Sequence, residues 1–289
     1  MIVRQSAMIT IGMPIFNGGE TLERAVNSIL NQTYQDFELI ISDNCSNDLT
    51  FEICQKYVKS DQRISYFRQA KNIGASENFR FVLEKASTKY FMWAAADDFR
   101  TPDFLVENIQ FLESNPTFVA STTPNCMESQ QNSNDNFLTF AIEGNLPDRF
   151  WQFFNNCWKS HGIFYSVIRT DILKACNIVG QSFIAVDWVI NLYLISRGNI
   201  YRTKKGLAIF GTKGISSRIN FYRIYRTHAI EILIPFYFLS CHALKLSKSF
   251  SLKNKIRLLI VLFNLNLKSI FSQIYMLVRQ FFSKFSKVK

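Results

Sequence analysis

From residue 8 to residue 122 the chain alternates two patterns. Short, β-rich apolar runs are followed by segments in which apolar residues recur every three or four positions. Strands separated by helices cannot pair as tight hairpins. They must form βαβ units, which places a mostly parallel sheet between layers of helices. Residues 8–13 predict a first strand, stopped by Pro14. Beyond it Leu22, Ala25, Val26, Ile29 and Leu30 share one helix face. Residues 37–42 predict a second strand, followed by a helix through Tyr57 and a short strand over 64–67. A helix over 76–86 then leads to a strand over 90–96. Thr101-Pro102-Asp103 reads as an N-cap, a proline at the first helical position and a first-turn acid. Its helix ends near Asn115-Pro116, ahead of a strand over 118–122. Farther on, 163–168 reads as strand and 188–196 as helix.

In sheets of this kind ligands collect outside the carboxyl ends of the strands, and polar loops follow three of them. FNGGE follows the first, DNCSND the second, and Asp97-Asp98 the run YFMWAAADD. Two adjacent carboxylates at the end of a buried strand repel each other unless water or a cation reaches them. A hard divalent ion takes one or two carboxylates together with substrate phosphates, so Asp97 and Asp98 are candidates to hold Mg²⁺ or Mn²⁺ against a diphosphate. In DNCSND, Asp43, Ser46 and Asp48 form Asx-turns, or Asp43 contacts a base or ribose. FNGGE lacks the GxGxxG dinucleotide fingerprint. It also has no Lys or Arg, which argues against a nucleotidyltransferase phosphate loop. Asn72-Ile73-Gly74 is a further turn that would border the same rim.

Charge divides the chain. Of its 33 Lys and Arg, 18 lie from Trp188 onward, where Glu231 is the one acid; the part through Asp187 carries a net charge of −6. The basic part is also rich in Ile, Leu and Phe. A nucleic-acid tail is seldom so apolar, whereas helices with apolar and cationic faces lie in membrane interfaces and are drawn to anionic lipid; the other reading is a packed helical appendage or dimer surface. Its apolar run over 230–239 is too short to cross a bilayer. The N-terminus has no charged segment leading into a long apolar one, so no signal peptide is expected. Six cysteines without a CxxC pair fit reduced thiols in a cytosolic setting.

The order MPIFNGGETLERAVNSILNQTYQDFELIISDNCSND, then KNIGASENF, then YFMWAAADDF resembles family 2 glycosyltransferases of the GT-A fold. The resemblance covers residues 8–125 well and 145–217 weakly. It implies an α/β GT-A domain over 1–220, with a nucleotide-sugar half (1–125) and an acceptor half (126–220). A helical, membrane-associating region (221–289) follows. By the same resemblance Pro14, Asn17 and Glu20 lie beside the nucleotide with Ser46 close by, and Asp43 matches the acid that contacts the base. Asp97 and Asp98 fall in the family's metal-binding element, where Ala95 stands in place of a first aspartate. Asp187, in FIAVDWV, matches the acid placed before a helix as general base, although Val186 replaces the acid often found beside it. His161 is a further candidate to touch acceptor or phosphate, set against a structural role. The implied activity is transfer of one sugar, with inversion, from a nucleotide-diphospho-sugar to a glycan or lipid-linked hydroxyl, in cell-surface polysaccharide synthesis. The implied location is the cytoplasmic face of the membrane, with no nucleic-acid partner. A non-catalytic nucleotide-sugar-binding protein is the alternative that Ala95 and Val186 leave open.

Overall fold

The computed structural model describes residues 7–130, 139–212 and 226–285. The chain divides into two compact units, one of residues 1–181 and 190–219, the other of residues 182–189 and 220–289.

Among the described residues of the first unit, ten strands build two sheets. The strands are β1 (Ile9–Ile15), β2 (Phe37–Asp43), β3 (Ile64–Arg68), β4 (Tyr90–Trp93), β5 (Phe99–Arg100), β6 (Phe118–Thr122), β7 (Asn125–Met127), β8 (Val167–Arg169), β9 (Asn199–Arg202) and β10 (Ala208–Phe210). The main sheet has the order β3-β2-β1-β4-β8-β6-β9, parallel except for β8, which runs against both of its neighbours. Strand order reverses beside β1, with β2 on one side and β4 on the other. Open α/β sheets form their ligand crevice at such a point. β1, β2 and β4 are buried nearly end to end, the pattern of strands covered by helices on both faces.

Helices α1 (Leu22–Leu30), α2 (Thr50–Ser60), α3 (Ala75–Lys85) and α4 (Phe104–Ser114) connect these strands. The apolar positions read from the sequence are the ones α1 buries: Leu22, Ala25, Val26 and Ile29. α3 is held to β2 by a reciprocal pair, the Ser42 hydroxyl to Asn78 Oδ1 (2.6 Å) and Asn78 Nδ2 to the Ser42 carbonyl (2.8 Å). It approaches β1 so closely at Gly12 that an added Cβ would lie 2.7 Å from a Val82 methyl and 2.8 Å from the Phe91 ring.

Four local expectations are corrected. β1 does not stop at Pro14. It runs to Ile15, because β4 pairs with it only as far as Gly12 and the imino nitrogen therefore faces no ladder partner there. β4 ends at Trp93, and residues 95–98 form a turn closed by Asp98 N–H to the Ala95 carbonyl (3.3 Å). Thr101 and Asp103 do not cap α4 with their side chains. They accept from the Leu207 and Gly206 amides and so tie the loop before β10 to the start of α4. The expected strand over 163–168 is a short helix, α6 (His161–Phe164), followed by β8; Trp93 stacks on Phe164 at 4.6 Å and fixes that turn.

The segment that follows β7 contributes α5 (Leu146–Asn156), whose N-cap Asn145 accepts from Asp148 N–H, and α7 (Thr170–Lys174). α8 (Val186–Arg197) starts in the second unit and continues in the first. The polar tract QQNSNDN lies almost wholly outside the described residues. The second sheet, β5-β10-β7, is small: β10 runs antiparallel to β5 and parallel to β7.

The second unit holds α9 (Ile230–Leu233), α10 (Tyr237–Leu246) and α11 (Leu252–Phe285). Residues 252–275 of α11 are long and apolar enough to cross a membrane, by length and composition alone. One stripe of α11 is buried at Leu258, Leu262 and Leu265. Another stripe, of Ile256, Leu259, Phe263, Leu267, Phe271 and Ile274, is exposed, beside exposed Lys253, Lys255, Arg257 and Lys268.

Filling the Gly12 position should be felt throughout the first unit. Gly12→Ala is expected to cost about 1–3 kcal/mol of stability by overpacking, seen as a lower urea midpoint with an unchanged far-UV spectrum. A midpoint equal to the parent would contradict the tight β1–α3 contact.

Candidate active site

The loops after β1 and β2 are laced together. The Asn17 amide donates to Ser46 Oγ (2.9 Å), Gly18 N–H to Thr50 Oγ1 (3.0 Å) and Gly19 N–H to Asp48 Oδ2 (2.9 Å). In return Asn17 Oδ1 accepts from Asn47 N–H (3.0 Å). Asn17 takes φ +51°, a left-handed backbone that asparagine tolerates better than most residues. The next turn joins them as expected: Asn44 Nδ2 donates to Asn72 Oδ1 (2.9 Å), and the Ile73 amide donates to Asn44 Oδ1 (2.8 Å). Pro14 is partly exposed, and Asn17 and Glu20 are exposed on the rim.

Asp43 turns inward, into the DNCSND loop itself. It is fully buried, with Oδ1 accepting from Ser46 N–H (2.8 Å) and Oδ2 from the Tyr66 hydroxyl (2.7 Å). Burial and the neighbouring Asp43 raise the Tyr66 phenol above its ordinary pKa, so it stays a donor. Arg68, at the end of β3, approaches Asp43 to 3.7 Å, donates to the Ser46 carbonyl (2.8 Å) and lies over the Phe51 ring at 5.0 Å. Asp43 and Ser46 therefore shape the loop from within, and Asn17 and Arg68 are exposed there together with Asn47, Asp48 and Leu49.

Asp97 and Asp98 lie between the two sheets. Gly211, one residue past β10, donates its N–H to Asp98 Oδ1 (3.0 Å). The approach is so close that a Cβ on Gly211 would lie 2.5 Å from the Asp97 carbonyl oxygen and 2.6 Å from Asp97 Oδ2. Arg24 of α1 donates to the Asp97 carbonyl (3.3 Å), pairs with Glu128 and lies over the Phe99 ring at 4.4 Å. Across the crevice, a Cβ on Gly18 would be 3.5 Å from the Ala96 methyl. The first and third loops thus share one edge.

Asp98 is 4% exposed, and its Oδ2 has no hydrogen-bond partner. Its pKa is pushed up to about 7, chiefly by burial and further by Asp97, against the pull of Arg100 and the Gly211 amide. Arg100 is buried too. Nη2 reaches the Trp93 carbonyl (3.3 Å), the guanidinium lies over Phe104 at 5.2 Å, and Nε and Nη1 lack partners. Leaving a buried acceptor unmet costs about 1–3 kcal/mol, and a cation bound at Oδ2 would remove that cost. The donor set fits a hard divalent ion. Among the described residues no three acids, histidines or cysteines gather, so two carboxylates would leave the remaining positions to phosphate and water.

The sequence reading missed Tyr66, Arg68, Arg100 and Gly211. Arg68 had a signal, a cation at the carboxyl end of a strand. Gly211 had none, because its part depends on which backbone it meets.

In the second unit Asp187 opens α8. It is partly exposed, and its pKa is pushed up to about 6 by burial, opposed by its own amide and that of Trp188. His161 is exposed and meets Phe210 edge-on at 4.8 Å.

Residues 10–170 match the Glycosyl transferase family 2 profile, more than half of the chain. The chain belongs to that family. This glycosyltransferase is 34% identical over 218 residues to an uncharacterised glycosyltransferase of Haemophilus influenzae, covering 64% of this chain and 87% of the relative. It is 29% identical over 223 residues to the GalNAc(5)-diNAcBac-PP-undecaprenol beta-1,3-glucosyltransferase of Campylobacter jejuni, covering 75% of this chain and 70% of that one. Among solved structures, S. aureus TarS 1–349 in complex with UDP-GlcNAc overlays with a TM-score of 0.61 at 18% identity, covering 85% of this chain and 74% of that 1–349 chain. A Pyrobaculum calidifontis mannosyltransferase in complex with GDP-Man and Mn²⁺ overlays with a TM-score of 0.55 at 15% identity, covering 95% and 86%. The fold of this glycosyltransferase is therefore GT-A.

The Gly211–Asp98 contact is directly testable. Gly211→Ala should displace Asp97 and remove a hydrogen bond to a carboxylate; if Asp97 and Asp98 hold a divalent ion, Mn²⁺ affinity should fall about tenfold or more. Calorimetry with and without EDTA reads this, and unchanged affinity would show that the amide does not hold the site.

Proposed function

We propose that this glycosyltransferase moves one sugar, with inversion, from a nucleotide-diphospho-sugar to a hydroxyl of a glycan or lipid-linked acceptor in cell-surface polysaccharide synthesis. The observation that carries the reading is the orphaned, buried Oδ2 of Asp98 beside Asp97, at the edge where the loops after β1 and β4 meet. Asp97 and Asp98 would hold Mg²⁺ or Mn²⁺, which would supply Lewis-acid stabilisation of the departing diphosphate. Pro14, Asn17 and Glu20 would flank the nucleotide, while Asp43 and Ser46 would set the loop wall through Tyr66 and the Asn17 amide. The UDP-GlcNAc and GDP-Man complexes of the two structural neighbours support a nucleotide-sugar donor. The name of the Campylobacter relative supports an acceptor linked to a polyprenyl diphosphate.

Asp187 would act as general base. As the acceptor oxygen bonds to the anomeric carbon, Asp187 takes the hydroxyl proton, and the bond to the diphosphate oxygen breaks with its electron pair leaving on the nucleotide. One base and one displacement invert the configuration. A base must be ionised to accept a proton. With its pKa at about 6, the Asp187 carboxylate is available above that pH and lost below it.

The exposed stripe of α11 would lie on the anionic, cytoplasmic face of the membrane. Six large apolar side chains share that face, and four exposed cations beside it gain about 1 kcal/mol each near anionic lipid.

Three outcomes are expected. Nucleoside diphosphate release should be abolished by EDTA and restored by Mn²⁺, measured over a panel of UDP-glucose, UDP-GlcNAc, UDP-galactose and GDP-mannose. The reading falls if no sugar nucleotide is turned over. Asp187→Asn should lower kcat by about 10²–10⁴-fold, and the parent rate should decline tenfold per pH unit below about 6. A flat profile between pH 5 and 8 would remove Asp187 from the mechanism. In flotation with vesicles of 30% phosphatidylglycerol, the full-length protein should float, and the double variant Phe263→Asp/Phe271→Asp should stay at the bottom. Equal flotation of the two would put the membrane contact elsewhere.

A further inference from the structure

Glu231 is the only acid that follows Asp187 in the sequence, and its side chain is fully buried within the second unit. A carboxylate is not buried without partners, and Glu231 has three. Its Oε2 accepts from the Thr227 (3.0 Å) and His228 (3.2 Å) amides, at the entry to α9. Its Oε1 accepts from the Ile184 amide (2.8 Å), 47 positions earlier in the chain. The Thr227 hydroxyl adds a second tie, to the Ser182 carbonyl (2.6 Å). Ring contacts close the same seam, with Phe183 against Phe238 at 5.1 Å and Trp188 stacked on Phe236 at 5.5 Å.

Ala185 lies between the pinned Ile184 and Asp187, and it holds φ +64°. That backbone costs an alanine about 1–2 kcal/mol and persists only where the surroundings over-determine it. Here the determinants are visible. Glu231 fixes the amide before Ala185, and the Val189 amide donates to the Ala185 carbonyl (3.1 Å) to begin α8. The strained residue turns the chain into the helix two positions before Asp187.

We propose that Glu231 is a positioning residue for sugar transfer, fixing from within the C-terminal helical unit the Ile184–Ala185 turn that aims the Asp187 carboxylate. The C-terminal unit then belongs to the catalytic apparatus as well as to the membrane contact. This inference rests on the reading of Asp187 as base.

The test uses full-length Glu231→Ala, Glu231→Gln and Asp187→Asn, with whichever member of the sugar-nucleotide panel the parent turns over fastest. A misaimed base is expected to lower kcat about 10- to 100-fold in Glu231→Ala, with the donor KM and Mn²⁺-dependent UDP affinity unchanged. Hydrogen–deuterium exchange should accelerate in the peptide covering 182–189 and stay unchanged over 9–15 and 37–43. Glu231→Gln keeps an acceptor oxygen for the Ile184 amide and should recover part of the rate. Faster exchange at 182–189 with an unchanged kcat would reduce Glu231 to a helix pin. Unchanged exchange would show that it does not hold the turn at all. If Glu231→Ala does not fold, Glu231→Gln is read by the same two criteria. A full rate in Asp187→Asn would overturn the base reading. A lost rate there with a normal rate in both Glu231 variants would overturn this inference alone.

Discussion

A carboxylate buried with one oxygen met and the other unmet is the constraint around which the first unit is organised. Asp98 Oδ1 is satisfied by a single backbone amide, that of Gly211. That amide is placed by β10, which pairs with both β5 and β7, and β5 starts one residue after Asp98. Three-residue strands have little stability of their own, so the small sheet depends on what surrounds it. Thr101 and Asp103 supply this by accepting from the Leu207 and Gly206 amides, and the Thr101 amide donates back to the Leu207 carbonyl (3.0 Å). The main sheet delivers the acids to the rim, and the small sheet holds them there.

Arg100 makes this arrangement tolerable. A buried acid beside a second acid would tend to stay protonated, and burial does push Asp98 up to about 7. The guanidinium two residues on pulls the other way, yet it keeps two unpartnered donors of its own. Each group is thus incompletely satisfied by the other. Buried networks left partly unmet mark positions where a ligand is expected to complete the set.

The order of β1 to β4 and β6, with their four helices, could be read from the sequence because those elements are long enough for their periodicity to show. Burial of β1, β2 and β4 on both faces wrote apolar runs that water-facing strands would lack. The errors lie where a tertiary partner overrode the local signal. Pro14 continues β1 because β4 stops pairing two residues earlier. Thr101 and Asp103 have the composition of a cap but are taken by the loop before β10. Strands β5, β7 and β10 are too short to carry any pattern, so the clamp on Asp98 was invisible. Asp43 was recognisable as special, but only Tyr66 and the Ser46 amide reveal that it faces inward.

The charge asymmetry gains a second meaning from Glu231. A tail selected only to adhere to anionic lipid gains nothing from an acid, and burying one raises the cost of folding that tail. Retaining it is physically reasonable if the acid does something a neutral side chain cannot, and accepting from three backbone amides at once is such a task. Two of those amides could be met by any helix-capping residue. The third belongs to Ile184, beside the one strained residue of the segment leading to Asp187. A hydrogen bond across 47 residues is poorly explained as a local cap. It makes the folding of the basic, apolar helices a condition for the shape of the segment that carries Asp187.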